Sequence, residues 1–553
     1  MKLTGSQIVA EVLLEHGVDV VFGYPGGTAL NIYDELYKYS DRIRHVRTAD
    51  EQGASYAADG YARATGKTGV MMSTSGPGAT NLVTGLATSY MDSIPVVAIT
   101  SNVPDSLIGK DSFQEISITN VTMPITKHNF FVNRIEDLAD CLRKAFQIAQ
   151  SGRRGPVLVD ITKDVTAAYT EYQHQEPLPL KEKPVISEED ARKAAKMIND
   201  AERPVVYAGG GVIASGAEEL LRELCRKADI PVVHTLMACG VLPSDDPLCL
   251  GMVGMHGSIA ANRAVDHADL VIALGARFSD RVALNPQKFA RRARILQVDV
   301  DKSEVDKNVQ VDMAVVGDDK SFLEKVTPLV DGAKHTEWHE RVLNWETKHR
   351  YPEDPDASLH PSEIMKIISD HTDSDTYYVT DVGQHQMWAA QYINHRSANH
   401  FITSGGLGTM GFGYGAAIGA KIGKPEEQVV MITGDGSFNM DLNEVITASR
   451  EKLPIVTVLL NNNVLGMVYQ WQTIFYDKRY STTINDNGID YLKVAEGFGA
   501  KGYRCSTPEE FDAAFKEAQN SDVPVWIECL ISPEERVLPM IPGGKTVDDM
   551  IIN

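Results

Sequence analysis

The chain is short of cysteine, of long apolar runs and of basic charge, and each shortage excludes something. Only 6 cysteines occur in 553 residues, at positions 141, 225, 239, 249, 505 and 529. Cys239 and Cys249 are the closest pair, and no second pair completes a zinc-type ligand set. The pattern predicts buried free thiols in a reducing, cytoplasmic compartment. No apolar run approaches ~18 residues, so no membrane span is expected. The opening segment MKLTGSQIVAEVLLEHG is amphipathic and contains acidic residues, and so reads as neither a signal nor a transit peptide. Lys and Arg number 53 against 75 Asp and Glu, a net charge of −22. That balance argues against nucleic acid or an anionic membrane surface as partner. An anionic substrate must therefore be drawn in by local cations.

What is present is an ordinary soluble composition, 43% apolar and 23% charged. The length is too great for one core and predicts three domains. One stretch, 429–471, organises the rest. VVMIT is a short apolar run ending in Gly434-Asp435-Gly436; a helical pattern runs from Asn439 to about Arg450; IVTVLL follows and ends in Asn461-Asn462-Asn463. Two strands joined by a helix lie parallel, and parallel sheets bind ligands at the strand C-termini. Asp435, Asn462 and a loop carbonyl are hard oxygen ligands that suit Mg²⁺. The glycines let the backbone approach a phosphate, and a following helix N-terminus favours negative charge.

The rest of the chain alternates in the same way. Ser6 is expected to cap the first helix, and VDVVFGYPGG, GVMMSTSGPGATN and IPVVAIT read as strands with glycine turns. The middle of the chain contributes RPVVYAGGG, IPVVHT, DLVIALGAR and ARILQVDVD. Residues from about Val165 to Glu189 and from Asp331 to His360 read as linkers. The domains expected are 1–165, 188–330 and 360–553, each a doubly wound parallel α/β sheet. The chain also repeats itself. TSGPGATNLVTGLATSYMDSIPVVAIT parallels TGDGSFNMDLNEVITASREKLPIVTVLL, and EQGASYAADGYARATGK resembles GLGTMGFGYGAAIGAKIGK, in the same order. The first and last domains are thus expected to be duplicates with divided labour, since only the second copy has the acid of Gly-Asp-Gly.

GDGSFNM followed by LLNNNVLGMV resembles the thiamine diphosphate motif of enzymes that decarboxylate 2-oxo acids, and nearly the whole chain is similar to the catalytic large subunit of acetolactate (acetohydroxyacid) synthase. The resemblance implies thiamine diphosphate, Mg²⁺ and a structural FAD held by a Rossmann-like middle domain. Asp435, Asn462 and the Val464 carbonyl would hold the metal. Glu51, opening a helix after a strand, would be the carboxylate that tautomerises the aminopyrimidine. Tyr24-Pro25-Gly26-Gly27 would line the reactive face, the backbone N–H groups of this loop stabilising a developing oxyanion. Gln114 of Phe113-Gln114-Glu115 would lie near the bound intermediate, and Lys163 on the substrate's approach. Val382, Gly383, Gln384 and His385, with Gly434, Gly436, Ser437, Met440 and Met467, would hold the diphosphate end. Met410 would prop the cofactor into its bent shape.

For FAD the resemblance points to Arg153, the run Gly209-Gly210-Gly211, Thr235, Leu236, Met255, His256, Gly275, Arg277, Asp299 and Asp318. Arg281 is the cation expected to grip the second substrate's carboxylate, because a guanidinium binds carboxylate bidentately. Trp471 is expected to shape the acceptor pocket. The chain departs from the family in having Asp50 and Ser279 where it usually has His and Asp. The activity implied joins two 2-oxo acids: pyruvate loses CO₂, and its two-carbon unit is added to a second pyruvate or to 2-oxobutyrate, which begins branched-chain amino acid synthesis. A pyruvate oxidase-type enzyme, or another thiamine diphosphate-dependent 2-oxo acid decarboxylase or carboligase, is the alternative; Met467-Val468 and Gln470-Trp471 argue against the oxidase. A homodimer or homotetramer is expected, with a regulatory small subunit as a further partner.

Overall fold

The computed structural model describes residues 1–332, 335–346, 352–485 and 488–553. Three six-stranded sheets, all parallel, account for the architecture. The first runs Arg44–Arg47, Val20–Gly23, Gly69–Ser73, Val96–Asn102, Val157–Thr162, His128–Val132 across its width. The last runs Phe401–Ile402, Tyr377–Thr380, Val429–Gly434, Val456–Asn461, Val525–Leu530, Lys501–Cys505. Numbered by chain order within each sheet, both read 2-1-3-4-6-5. The duplication expected from the sequence is therefore a duplication of topology. The middle sheet reads 3-2-1-4-5-6, from Cys249–Met252 through Pro204–Ala208 to Met313–Val316. That is the order of dinucleotide-binding sheets. A small antiparallel pair, Lys2–Thr4 with Tyr169–Glu171, ties the start of the chain to the end of the first unit.

The central strands are buried on both faces. Val429–Thr433, Val456–Asn461 and Val96–Asn102 are all buried, which is why they read as continuous apolar runs without alternation. The two repeated helices, Glu51–Thr65 and Phe412–Gly423, pack directly on each other. A Cβ at Gly60 would stand 2.1 Å from the Ala416 carbonyl oxygen, and one at Gly419 would stand 1.9 Å from that of Ala57. The two contacts exchange under one constant sequence offset, Gly60 with Gly419 and Ala57 with Ala416. The crossing is thus a pseudo-two-fold axis inside one chain, and glycine is needed because backbone meets backbone there. Polar bonds close the same interface. Arg63 bonds Asp59 and Asp92 at 2.6 and 2.9 Å, Asp92 accepts the N–H groups of Gly405 and Gly406, and the hydroxyls of Thr88 and Thr409 lie 2.7 Å apart.

Three local expectations change. The first helix begins at Gly5 and is capped by Thr4, whose side chain and that of Gln7 form a reciprocal capping box; Ser6 instead donates to the Thr166 carbonyl. The helix expected from Asn439 is broken into Asp435–Phe438, a turn at Leu442–Glu444 and Val445–Arg450. The stretch read as a second linker contains the helix Thr336–Glu346, whose Trp338 is buried and donates to the Pro204 carbonyl at 3.0 Å. That tryptophan anchors the segment to the middle sheet. Residues 347–351, also within that expected linker, lie outside the described residues. Among the described residues no helix is long and apolar enough to cross a membrane.

Candidate active site

In the last sheet the chemistry gathers at the C-terminal ends of three neighbouring strands. Tyr377–Thr380 pairs with Val429–Gly434, which pairs with Val456–Asn461. Asp435 follows the middle one, is buried, and accepts a 2.9 Å hydrogen bond from Asn485 Nδ2. Burial raises its carboxyl to about 6, a cost that a bound cation would offset. Asn462 is buried beside it; its Oδ1 accepts the Val464 N–H at 3.2 Å and its Nδ2 donates to Gln384 Oε1 at 3.3 Å. Gly466 lacks a side chain where Gln384 passes, since a Cβ would meet Gln384 Oε1 at 2.0 Å. His385 lies in the first turn of the helix Gln384–Tyr392, with its ring against Gly383 and Gly434. Burial lowers its imidazole to about 3, so it is neutral, and its Nε2 has no partner among the described residues. Oxygen donors, an orphaned neutral imidazole and a helix N-terminus together fit a metal with phosphate oxygens. Ser437 is buried, Gly436 half-buried, and Met440 is 54% exposed on the rim.

The first sheet carries the complementary cluster. Glu51 opens the helix Glu51–Thr65 and is buried; its Oε2 accepts from Asn81 Nδ2 at 3.0 Å. Asp50, the departure from the family, caps that helix by accepting the Gly53 N–H at 2.9 Å. Gly78 leaves room for the carboxylate, since a Cβ there would lie 2.8 Å from Glu51 Oε1. The same absent Cβ would touch the Thr74 methyl, and Thr74 also abuts Gly26. Gln114, held at φ 61°, packs against Gly76. Glu51, Gln114 and the Tyr24–Gly27 loop are thereby brought to one place, with Gly27 facing open space. Lys163 is half-buried at the end of Val157–Thr162, on the same edge of the sheet.

On the middle sheet Gly209-Gly210-Gly211, Thr235-Leu236, Met255-His256, Gly275, Arg277 and Asp318 follow the C-terminal ends of strands, and Asp299 is the last residue of its own. Thr235 Oγ1, His256 Nδ1 and Asp319 Oδ1 along this edge are buried without a partner among the described residues. Such orphans, on a 3-2-1-4-5-6 sheet, fit a polar dinucleotide ligand. Asp318 itself is engaged as an N-cap, accepting from the Ser321 N–H at 3.1 Å, and Asp299 accepts the Asp301 N–H at 2.9 Å. Burial raises the Asp299 carboxyl to about 6. Arg153 reaches the same edge from the first unit, pairing with Glu304 at 2.7 Å and Asp301 at 3.6 Å, just past the strand that ends at Asp299. Arg281 has a largely exposed side chain 3.8 Å from Asp280, while its carbonyl accepts the Met255 N–H.

Met467 and Trp471 lie one turn apart on the helix Gly466–Phe475, as expected, and line a groove of about 650 Å³ with Val468, Gln472, Tyr476, Arg479 and Ser481. Trp471 also packs against Met255, Leu538 and Met540.

Comparison with known proteins follows the same three units. Family models match residues 3–122 as a thiamine pyrophosphate enzyme N-terminal TPP binding domain, 191–326 as the central domain and 381–529 as the C-terminal TPP binding domain. A probable acetolactate synthase large subunit of Methanocaldococcus jannaschii is 44% identical, over 99% of this chain and 95% of its own. The chain belongs to the acetolactate synthase large-subunit family of thiamine pyrophosphate enzymes. An acetolactate synthase large subunit of Porphyra purpurea (42% identical) and an acetolactate synthase of Mycobacterium leprae (44% identical) cover 99% of this chain and 95% and 90% of their own. At the sites described above, sequence reasoning missed Asn81, Asn485 and Asp319. Asn485 has no periodic signal, and its partner Asp435 is distant in sequence. Asn81 sits on a turn read only for its glycines.

Proposed function

We propose that this chain catalyses acetolactate formation: decarboxylation of pyruvate and transfer of the two-carbon unit to a second pyruvate or to 2-oxobutyrate, the first common step toward valine, leucine and isoleucine. The observation that carries this is the buried Asp435–Asn462 oxygen pair at adjacent strand ends, followed directly by the helix that bears Met467 and Trp471. Thiamine diphosphate, when bound, supplies a nucleophilic carbon and an electron sink. Asp435, Asn462 and the Val464 carbonyl would hold Mg²⁺, which would supply positive charge for the diphosphate, and Gln384 and His385 would line the phosphate site. Glu51 would hold and exchange a proton at its carboxylate beside the bound pyrimidine, Gln114 and Gly27 would line the reactive side of the site, and Met410 would prop the cofactor. Lys163 lies on the substrate's approach, and Arg281 meets the acceptor carboxylate across from Trp471.

FAD, held by the middle-sheet edge, is structural because the net reaction transfers no electrons. Glu51 and Asp435 serve one site from two copies of the chain. The duplicated topology supports this, as do exposed apolar side chains next to the site residues, Phe113 (87% exposed) preceding Gln114 and Met440 shortly after Ser437. A homodimer or homotetramer, a regulatory small subunit and a cytoplasmic location complete the proposal, with neither nucleic acid nor membrane as partner. The test is a product assay with pyruvate, with and without 2-oxobutyrate, after addition of thiamine diphosphate, Mg²⁺ and FAD. Acetolactate, and its ethyl homologue when 2-oxobutyrate is present, is the expected result. Acetyl phosphate or peroxide in its place would refute the proposal in favour of an oxidase.

A further inference from the structure

We infer that Glu444 is a positioning residue for Glu51, its carboxylate clamping the backbone at the start of the helix that carries Glu51. The inference rests on the role proposed for Glu51. Glu444 Oε1 accepts the N–H of Ala49 at 2.9 Å and that of Asp50 at 3.2 Å, the two residues directly before Glu51. Its Oε2 accepts from Thr447 Oγ1 at 2.7 Å, and the side chain is fully buried. Gly53 makes this approach feasible, since a Cβ there would lie 1.9 Å from Glu444 Oε1.

Glu444 belongs to the last unit, in the segment leading away from Asp435, so one carboxylate joins the metal turn to the helix of the first unit. In the two-copy arrangement proposed above, it links the site that uses Asp435 to the site that uses Glu51 of the same chain. The clamp is made in an unfavourable setting. Asp50, Asp441 and Glu444 bring carboxylate oxygens within 4.8 Å of one another, and Asp441 Oδ2 is buried with no partner among the described residues. Apolar packing would hold the two units together without burying like charges. Burial raises the Glu444 carboxyl to about 7, helped by Asp50. Ionised or protonated on Oε2, it still presents Oε1 to both N–H groups, so glutamine is the conservative replacement and alanine the disruptive one.

The experiment compares Glu444→Ala, Glu444→Gln and Glu51→Gln with the wild type by two readouts. The first is amide hydrogen exchange of peptides covering residues 46–54 in protein free of cofactor. The second is the rate of C2-proton exchange of bound thiamine diphosphate, with kcat and KM for pyruvate alongside. Glu444→Ala should expose the Ala49 and Asp50 amides and slow C2 exchange and kcat together by ~10-fold or more, since a displacement near 1 Å can cost ~100-fold, with KM little changed. Glu444→Gln should match the wild type in both. If alanine prevents folding, Glu444→Asp, which withdraws the carboxylate by one methylene, takes its place. Unchanged amide protection, or lost protection with C2 exchange and kcat intact, overturns the inference, as does a glutamine variant as slow as alanine. If Glu51→Gln leaves C2 exchange intact, it is the role of Glu51 that fails instead.

Discussion

Replacing Trp471 with leucine separates two uses of a large side chain. Trp471 faces a groove of about 650 Å³ on one side and packs against Met255, Leu538 and Met540 on the other. As a pocket wall it favours an ethyl over a methyl substituent on the acceptor 2-oxo acid. One added buried CH₂ is worth about 0.8 kcal/mol, which is roughly a fourfold preference. Stronger discrimination requires a steric contribution in addition. Trp471→Leu should bring the 2-oxobutyrate preference down by that factor or more, with acetolactate formation from pyruvate alone largely kept. The stability loss should be modest, about 1 kcal/mol, because the indole is only half-buried and leucine retains part of the contact with Met540. Competition between the two acceptors, with both products quantified and a melting curve on the same preparation, provides the measurement. An unchanged product ratio with a large drop in melting temperature would refute the pocket assignment and leave Trp471 as packing alone.

Glu51→Gln should fold normally yet lose most turnover, by ~100-fold or more, and mixing it with Asp435→Ala chains should restore part of the activity; no recovery in proven mixed dimers refutes the shared site. Gly60→Ala would be mildly stabilising on an exposed helix, but here the added carbon lies 2.1 Å from a backbone oxygen. Thermal unfolding should therefore show a net loss of about 1–3 kcal/mol as the two helices separate. At Glu15, burial alone would raise the carboxyl, but hydrogen bonds from Arg143, Tyr172 and the Gln175 N–H outweigh it and hold it at about 2. A folded-state value below the unfolded one stabilises at neutral pH, and that contribution is lost as pH falls from about 4.5 toward 2. The melting-temperature deficit of Glu15→Gln relative to wild type should accordingly be full above that window and shrink within it.

The sequence by itself determined the elements and their chemistry wherever the signal was local. Apolar runs closed by Gly434-Asp435-Gly436 and Asn461-Asn462-Asn463 mark strands that end at a ligand site, because strand burial and turn geometry depend on neighbouring residues. The repeated segments likewise foretold two sheets of one topology. The Ser6 cap was misplaced because Thr4 and Gln7 form a stronger reciprocal box two positions earlier. The helix Thr336–Glu346 was missed because Trp338 is secured by Pro204, far away in sequence. Tertiary structure alone decided which residues meet across units. Glu444 reaches Ala49 and Asp50, Asn485 reaches Asp435, and Gly60 meets Ala416 only because two helices dock at backbone distance. Such contacts join distant segments, so no periodicity or motif spacing in the chain records them.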